Sequence, residues 1–166
     1  MGAGRAALRL VQPVVEQAPV TLFCGHCGEA PELPPGVELA SRVCGDCGMG
    51  LLLESDAELA PTPADAFLVV DHAMSISALS RRAEEFLGIP EPEAVGRHLK
   101  ELLTPADTDV PATQSFFTLI LLAATGAADP QKIAVRPPDL FGVRYWARVS
   151  SCGPSSAALL LLGGMD

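Results

Sequence analysis

The sequence predicts an α+β protein in two parts, and three observations carry the prediction. Two short cysteine pairs with matching glycines sit in an early segment, and a stretch of prolines and acids follows them. The remainder alternates strand-like and helix-like apolar patterns in the order two strands, several helices, three strands. The divisions read as a leader over residues 1–20, a cysteine-bearing segment over 21–54, a linker over 55–63 and a larger domain over 64–165.

A chain of 166 residues holds one ordinary domain plus a small appendage. Hydrophobic residues make up 49% and charged residues 19%, enough apolar material for a packed core and too much for global disorder. The net charge of -9 gives no long-range attraction to nucleic acid or anionic membranes. A protein or small-molecule partner is the better expectation. Arginine outnumbers lysine, which occurs only at Lys100 and Lys132, and alanine is abundant; this usage points to a GC-rich bacterial genome.

In the leader, Leu8, Val11 and Val15 fall at helical spacing, but Pro13 limits any helix to a short one. Pro13, Glu16 and Pro19 also spoil "LVQPVVEQAPV" as a secretory core, so a cytoplasmic protein is expected. "AALLLL", Ala157 to Leu162, is far shorter than a membrane span and has the length of a buried strand. In a reducing compartment, paired cysteines are metal ligands or redox catalysts more often than disulfides.

Cys24, Cys27, Cys44 and Cys47 form the pattern C-x2-C-x16-C-x2-C. Each pair has the same local form, "CGHCG" and "CGDCG", with a glycine inside and another after. Glycine tolerates the left-handed backbone that lets a tight turn aim two sulfurs at one ion. The two knuckles, one after "VTLF" and one before "GLLLES", resemble a zinc ribbon, with one structural zinc on the four thiolates. Such a site is closed, so it scaffolds rather than catalyses. His26 then reads as a surface residue of the first knuckle.

Cys-Gly-His-Cys is also the tetrapeptide of disulfide isomerases, and a thiol oxidoreductase is the competing reading. That chemistry needs a helix starting at the first cysteine to lower its pKa. Gly28, Pro31, Pro34 and Pro35 in "GEAPELPPG" forbid one, and a lone redox centre has no use for the second pair. Nucleic-acid binding by the ribbon is the other alternative, as in a transcriptional regulator. Arg42 is the only basic residue of the segment, against Glu29, Glu32, Glu38, Asp46 and Glu54, which argues against it.

In the larger part, "DAFLVVD" and "MSISALS" read as two strands joined by a turn at Asp71 to Ala73, the second alternating Met74, Ile76 and Ala78 against serines. Ser80 caps "RRAEEFL", whose Ala83, Phe86 and Leu87 share a face, and Gly88 stops it. "PEAV" and "HLKELL" suggest two short helices around Gly96, the second apolar at Leu99, Leu102 and Leu103. A longer helix is expected over Ala112 to Thr125 with Phe117, Ile120, Leu121 and Ala124 on its apolar face. Strands over Gln131 to Arg136, Val143 to Ser150 and Ser156 to Leu162 complete the pattern.

The order, with "FLVVD…SALSRRAEEFLGI…EAVGRHLKELLTPAD" and the Pro-x-Asp of Pro105 to Asp107, resembles a PAS domain over nearly all of Ala64 to Gly163. The resemblance implies a five-stranded antiparallel sheet with helices on one side. It also implies a pocket between sheet and helices, and a role in sensing, self-association or contact with a protein partner. Ser80 stands where the family often has Asn. The Gly-x-Asn-Cys-Arg motif of flavin-binding members does not occur, and Ala112 to Thr125 has no histidine for haem, so neither cofactor is expected. His72 and His98 read as solvated, and Cys152 as a small packed residue. Arg136, Arg144 and Arg148 either form a basic strip or are ordinary sheet-face charges. No catalytic constellation stands out. The expected function is non-enzymatic: a regulatory or sensory protein that binds a small ligand or a protein partner.

Overall fold

A computed structural model describes residues 19–32, 41–106 and 110–164. The leader expected over residues 1–20 lies outside them except for its last two positions, as does Asp107 of the Pro-x-Asp motif.

Two antiparallel strands, β1 (Val20–Cys24) and β2 (Leu52–Asp56), form a hairpin that carries both cysteine knuckles at its Cys24/Leu52 end. Val20 pairs with Asp56, so β2 continues two residues into the stretch read as linker.

The second sheet is antiparallel. It contains β3 (Ala66–Asp71), β4 (Ile76–Leu79), β6 (Gln131–Arg136), β7 (Tyr145–Cys152) and β8 (Ala157–Gly164), with a two-residue edge strand β5 (Thr104–Pro105). The order is β4-β3-β8-β7-β6-β5: five main strands, with the last strand in sequence laid beside the first. The central strands read as near-continuous apolar runs because both faces are covered, "AFLVVD" in β3 and "AALLLL" in β8.

Helices α1 (Arg81–Leu87), α2 (Glu91–Ala94) and α3 (Val110–Ala124), with a 3-10 turn at Leu99–Glu101, lie between β4 and β6 in sequence. Ser80 begins α1 as its sequence suggests. Its Oγ accepts from the Ala83 N–H at 3.1 Å, and it also accepts from the Phe67 N–H at 2.9 Å, tying the cap to β3. Gly88 closes the helix at φ 70°.

One side of the sheet packs on the helices. Leu68, Val70, Ile76, Leu79, Val135, Ala147 and Leu160 from the strands meet Leu99, Leu103, Phe116 and Ile120, all essentially buried. These side chains line the space where the resemblance implies a pocket. The buried stripe of α3 is Phe116, Leu119, Ile120, Ala123 and Ala124, while Leu121 is 42% exposed. Of the predicted face, Ile120 and Ala124 are buried and Phe117 packs at the edge of the core, while Leu121 points outward and Phe116, Leu119 and Ala123 take up the rest of the stripe. "FFTLILLAA" is apolar almost all round, so two helical registers fit it equally and only the packing against β7 and β8 selects one.

A second departure lies in β4. Val70 pairs with Ile76 but Val69 pairs with Ala78, so Ser77 is an extra residue and the strand bulges. Ile76 and Leu79 therefore face the helices, and Ala78 faces the opposite side. The simple alternation of Met74, Ile76 and Ala78 does not survive, because a bulge shifts the period by one.

The opposite side of the sheet receives the β1/β2 hairpin. Phe23 and Phe67 are fully buried and meet edge to face, ring centroids 5.6 Å apart. Val69, Cys152, Ala157 and Leu159 complete this second core, with Leu53 and Ala78 at its margin. The backbone joins the two parts as well: Glu54 and Gly153 exchange N–H···O bonds of 2.9 and 2.8 Å. Burying a phenylalanine of this kind contributes roughly 1.5–3 kcal/mol by area alone.

Candidate metal centre and the sheet surface beside it

The hairpin positions the four cysteines at one end. Cys24 ends β1, Cys27 follows after a turn, and Cys44 and Cys47 form the matching turn before Leu51 and β2. In each knuckle the glycine after the second cysteine closes the turn: Gly28 N–H to Cys24 O and Gly48 N–H to Cys44 O, both 3.0 Å. Gly28 and Gly48 sit at φ 76° and 67°, the left-handed region that explains why each pair ends in glycine.

The four Sγ atoms lie within 4.8 Å of one another. Cys24–Cys47 is 3.6 Å and Cys27–Cys44 is 3.8 Å. A disulfide would need about 2.05 Å. A tetrahedron of thiolates at the zinc–sulfur distance of about 2.3 Å has edges of about 3.8 Å. Both of these contacts join sulfurs of different knuckles, as a shared central ion would bring about. The residues therefore fit a tetrahedral thiolate-bound metal, and they do not fit a redox pair within one knuckle. No helix follows Cys27, where residues 28–32 are irregular.

Backbone donors converge on the sulfurs. The His26 and Cys27 N–H groups reach Cys24 Sγ and the Gly50 N–H reaches Cys47 Sγ, each at 3.4 Å. Burial pushes the Cys24 thiol up, against these bonds. Burial likewise raises Cys27, with its thiol neighbours adding to the effect. At Cys47 burial opposes ionisation but is outweighed by the Gly50 and Met49 N–H groups and neighbouring thiols, and its pKa falls to about 6. A half-sheltered anion site of this kind gains most from a cation at its centre. Gly50 is part of the cradle: a Cβ there would collide with Cys24 Sγ and with His26.

His26 corrects the expectation of a surface residue. It is 4% exposed, because the first knuckle is pressed against the larger domain. Its carbonyl accepts from the Arg81 N–H that opens α1, at 2.8 Å, and its Nδ1 lies 2.9 Å from Glu91 Oε2. That contact is at ion-pair distance, with no in-line hydrogen bond on Nδ1. His72 is exposed as expected. His98 is half-buried: its Nδ1 caps the 3-10 turn by accepting from the Lys100 N–H, and its ring stands 6.0 Å from that of Phe117. Cys152 is packed in the second core, where burial, and then the charge of Glu54, pushes its thiol up to about 12.

The hairpin covers only part of the sheet's outer side. On β6 and β7, Ile133, Val135, Ala147 and Val149 turn inward, so Lys132, Trp146 and Arg148 turn outward. Lys132 is directly opposite Arg148 across the strands, and its Nζ sits 4.8 Å over the Trp146 ring. Among the described residues neither cation has a carboxylate partner. Arg136 does not join this strip. It is 7% exposed, donates to Pro137 and Pro138 carbonyls and stacks on Phe141. Sequence reasoning missed Lys132 and Trp146, which the strict alternation of β6 and β7 would have placed beside Arg148.

The antiparallel sheet, its order and the helical insert between β4 and β6 define a PAS-type α+β domain. Residues 59–134 match the PAS fold family, which makes this part of the chain a PAS domain. The match ends within β6, and β7 and β8 beyond it complete the sheet. Such domains are sensory and interaction modules. Among solved structures, the chain is similar to the photoactive yellow protein domain of the sensor histidine kinase Ppr from Rhodospirillum centenum. The identity is 18% and the TM-score 0.44, over 60% of this chain and 83% of that one. It is also similar to the PAS domain of an HTR-like protein from Haloarcula marismortui, at 17% identity and TM-score 0.45, over 61% and 86%. No curated protein matches the chain. Among the described residues no helix is long and apolar enough to cross a membrane.

Proposed function

We propose that the protein is a non-enzymatic, cytoplasmic regulatory module that acts by binding an acidic protein partner on the open part of the PAS sheet. In this reading one zinc ion, held by Cys24, Cys27, Cys44 and Cys47, keeps the ribbon folded against the rest of that sheet. The observation that carries the reading is the opposition of Lys132 and Arg148 beside Trp146. Like charges directly across a sheet destabilise it, and among the described residues no carboxylate relieves them, on a chain with a net charge of -9. An acidic segment laid across the strip would neutralise both and cover the indole.

Several features support contact rather than catalysis. Among the described residues, the space between sheet and helices is lined by buried apolar side chains and carries no catalytic constellation. Four thiolates leave zinc no open position for water. The hairpin's zinc would contribute folding energy to a segment too small for a core of its own, on the order of 10 kcal/mol in small zinc modules.

The test is binding of a fluorescein-labelled peptide of alternating glutamate and leucine to the full zinc-loaded chain, followed by anisotropy at several salt concentrations. Binding should weaken with salt and drop at least roughly tenfold in Lys132→Glu and in Arg148→Glu. Equal binding by both variants, or tighter binding of a generic DNA duplex, would overturn the reading. Native mass spectrometry of the same sample should report one zinc per chain, and a metal-free mass would remove the zinc assignment.

A further inference from the structure

The way the ribbon sits on the sheet leaves a cleft of about 580 Å³ between the second knuckle and the outer side of β3 and β4. That volume falls within the range of small-molecule sites, roughly 300–1,000 Å³. Leu53, Val69, Ala78 and Ala157 make an apolar floor where the hairpin and sheet meet. Met49 and Leu51 form one wall and are 66% and 57% exposed, apolar side chains left in water at the mouth of the cleft. Such exposure next to a concave apolar surface is a mark of a binding site.

The charges lining the cleft are of one sign. Among the described residues, Asp71 and Glu91 are its formal charges, His72 stands on its rim, and neither lysine nor arginine lines it. Glu91 is occupied, with one oxygen accepting from the Leu79 N–H and the other beside His26. Asp71 is half free: Oδ1 accepts from the Ala73 and Ser75 N–H groups at 2.8 and 2.9 Å, while Oδ2 has no bond within the described residues. An anionic amphiphile would meet a carboxylate with no cation to offset it, and a neutral one would leave Oδ2 unused.

We infer that this cleft binds a small amphipathic amine, its apolar chain along Leu53, Val69, Ala78 and Ala157 and its ammonium group on Asp71. The site lies apart from the Lys132/Arg148 strip and from the space between sheet and helices, and it exists only while the ribbon is docked.

Octylamine, octanol and octanoate, each below its aggregation concentration, separate the contributions of chain and headgroup when titrated into the zinc-loaded full chain. Amide shifts in two-dimensional NMR give both the affinity and the location. Octylamine should bind saturably, about tenfold tighter than octanol, with octanoate weakest and the shifts confined to the segments around Met49–Leu53 and Val69–Ser77. Asp71→Asn keeps the acceptor for the Ala73 and Ser75 N–H groups; it should remove the preference for octylamine and leave octanol unchanged. Met49→Ala should weaken both by a similar factor, and Lys132→Glu should change neither. Equal binding of octanoate, shifts elsewhere on the molecule, or an unaltered preference in Asp71→Asn would overturn the inference. The Lys132→Glu control keeps that outcome separate from failure of the acidic-partner reading.

Discussion

The Nδ1 of His26, inside the first cysteine knuckle, lies 2.9 Å from Oε2 of Glu91 at the start of α2. The same glutamate accepts from the Leu79 N–H through Oε1 at 3.1 Å, and its own N–H donates to Glu84 Oε1. One residue, through its carboxylate and its backbone N–H, thus links the knuckle, the edge strand β4 and two helices. Glu91→Ala leaves the Leu79 N–H without its acceptor and should cost roughly 1–3 kcal/mol. Glu91→Gln keeps an oxygen acceptor for Leu79 and should cost less. Urea midpoints of the two variants at equal m-value measure the difference.

Gly50 tests the cradle around the sulfurs. Gly50→Ala places a methyl group into Cys24 Sγ and His26, so the purified variant should carry less than one zinc per chain by metal analysis. Gly45→Ala is the matched control, since a Cβ there meets nothing within 4 Å. It should retain full metal and wild-type stability.

Docking of the ribbon on the sheet should hinge on Phe23. Phe23→Ala removes a fully buried ring from its edge-to-face contact with Phe67 and should destabilise the docked state by about 3–5 kcal/mol. The four thiolates do not involve this ring, so metal content should hold. Hydrogen exchange reports the outcome directly: the Glu54 and Gly153 amides, which pair across the junction, should lose protection. Unchanged protection would show that the aromatic contact does not hold the two parts together.

Cys152 gives a pH-dependent prediction with a definite sign. Burial raises its pKa from about 9 to about 12, so the folded state disfavours the thiolate. Its contribution to stability is fully present below pH 9 and is lost as pH rises toward 12. Cys152→Ala should therefore flatten the alkaline limb of the stability curve. In the native zinc-loaded protein at pH 8, this thiol should not react with Ellman's reagent until the chain is unfolded.

Much of the architecture is readable locally. The Ser80 cap, the Gly88 stop, the turn at Asp71 and the buried leucines at 99, 102 and 103 all follow from neighbours within a few residues. The cysteine cluster is readable for the same reason, because each knuckle closes its own i to i+4 turn on glycine. The face of α3 and the bulge of β4 are not. A uniformly apolar helix carries no phase, and one extra residue such as Ser77 is invisible until Val69 and Val70 choose their partners.

His26 draws the line most clearly. Its place in a glycine-flanked turn between two cysteines suggested an exposed residue, and it is buried instead, because its contacts come from Arg81 and Glu91, more than fifty residues away. The sequence by itself determined the four-cysteine cluster and the strand and helix order, since turn geometry and apolar period are short-range properties of the chain. Only the tertiary structure decided that the ribbon rests on the outer side of the PAS sheet. That docking buries Phe23 on Phe67 and opens the Met49–Asp71 cleft, and both depend on contacts that no local pattern encodes.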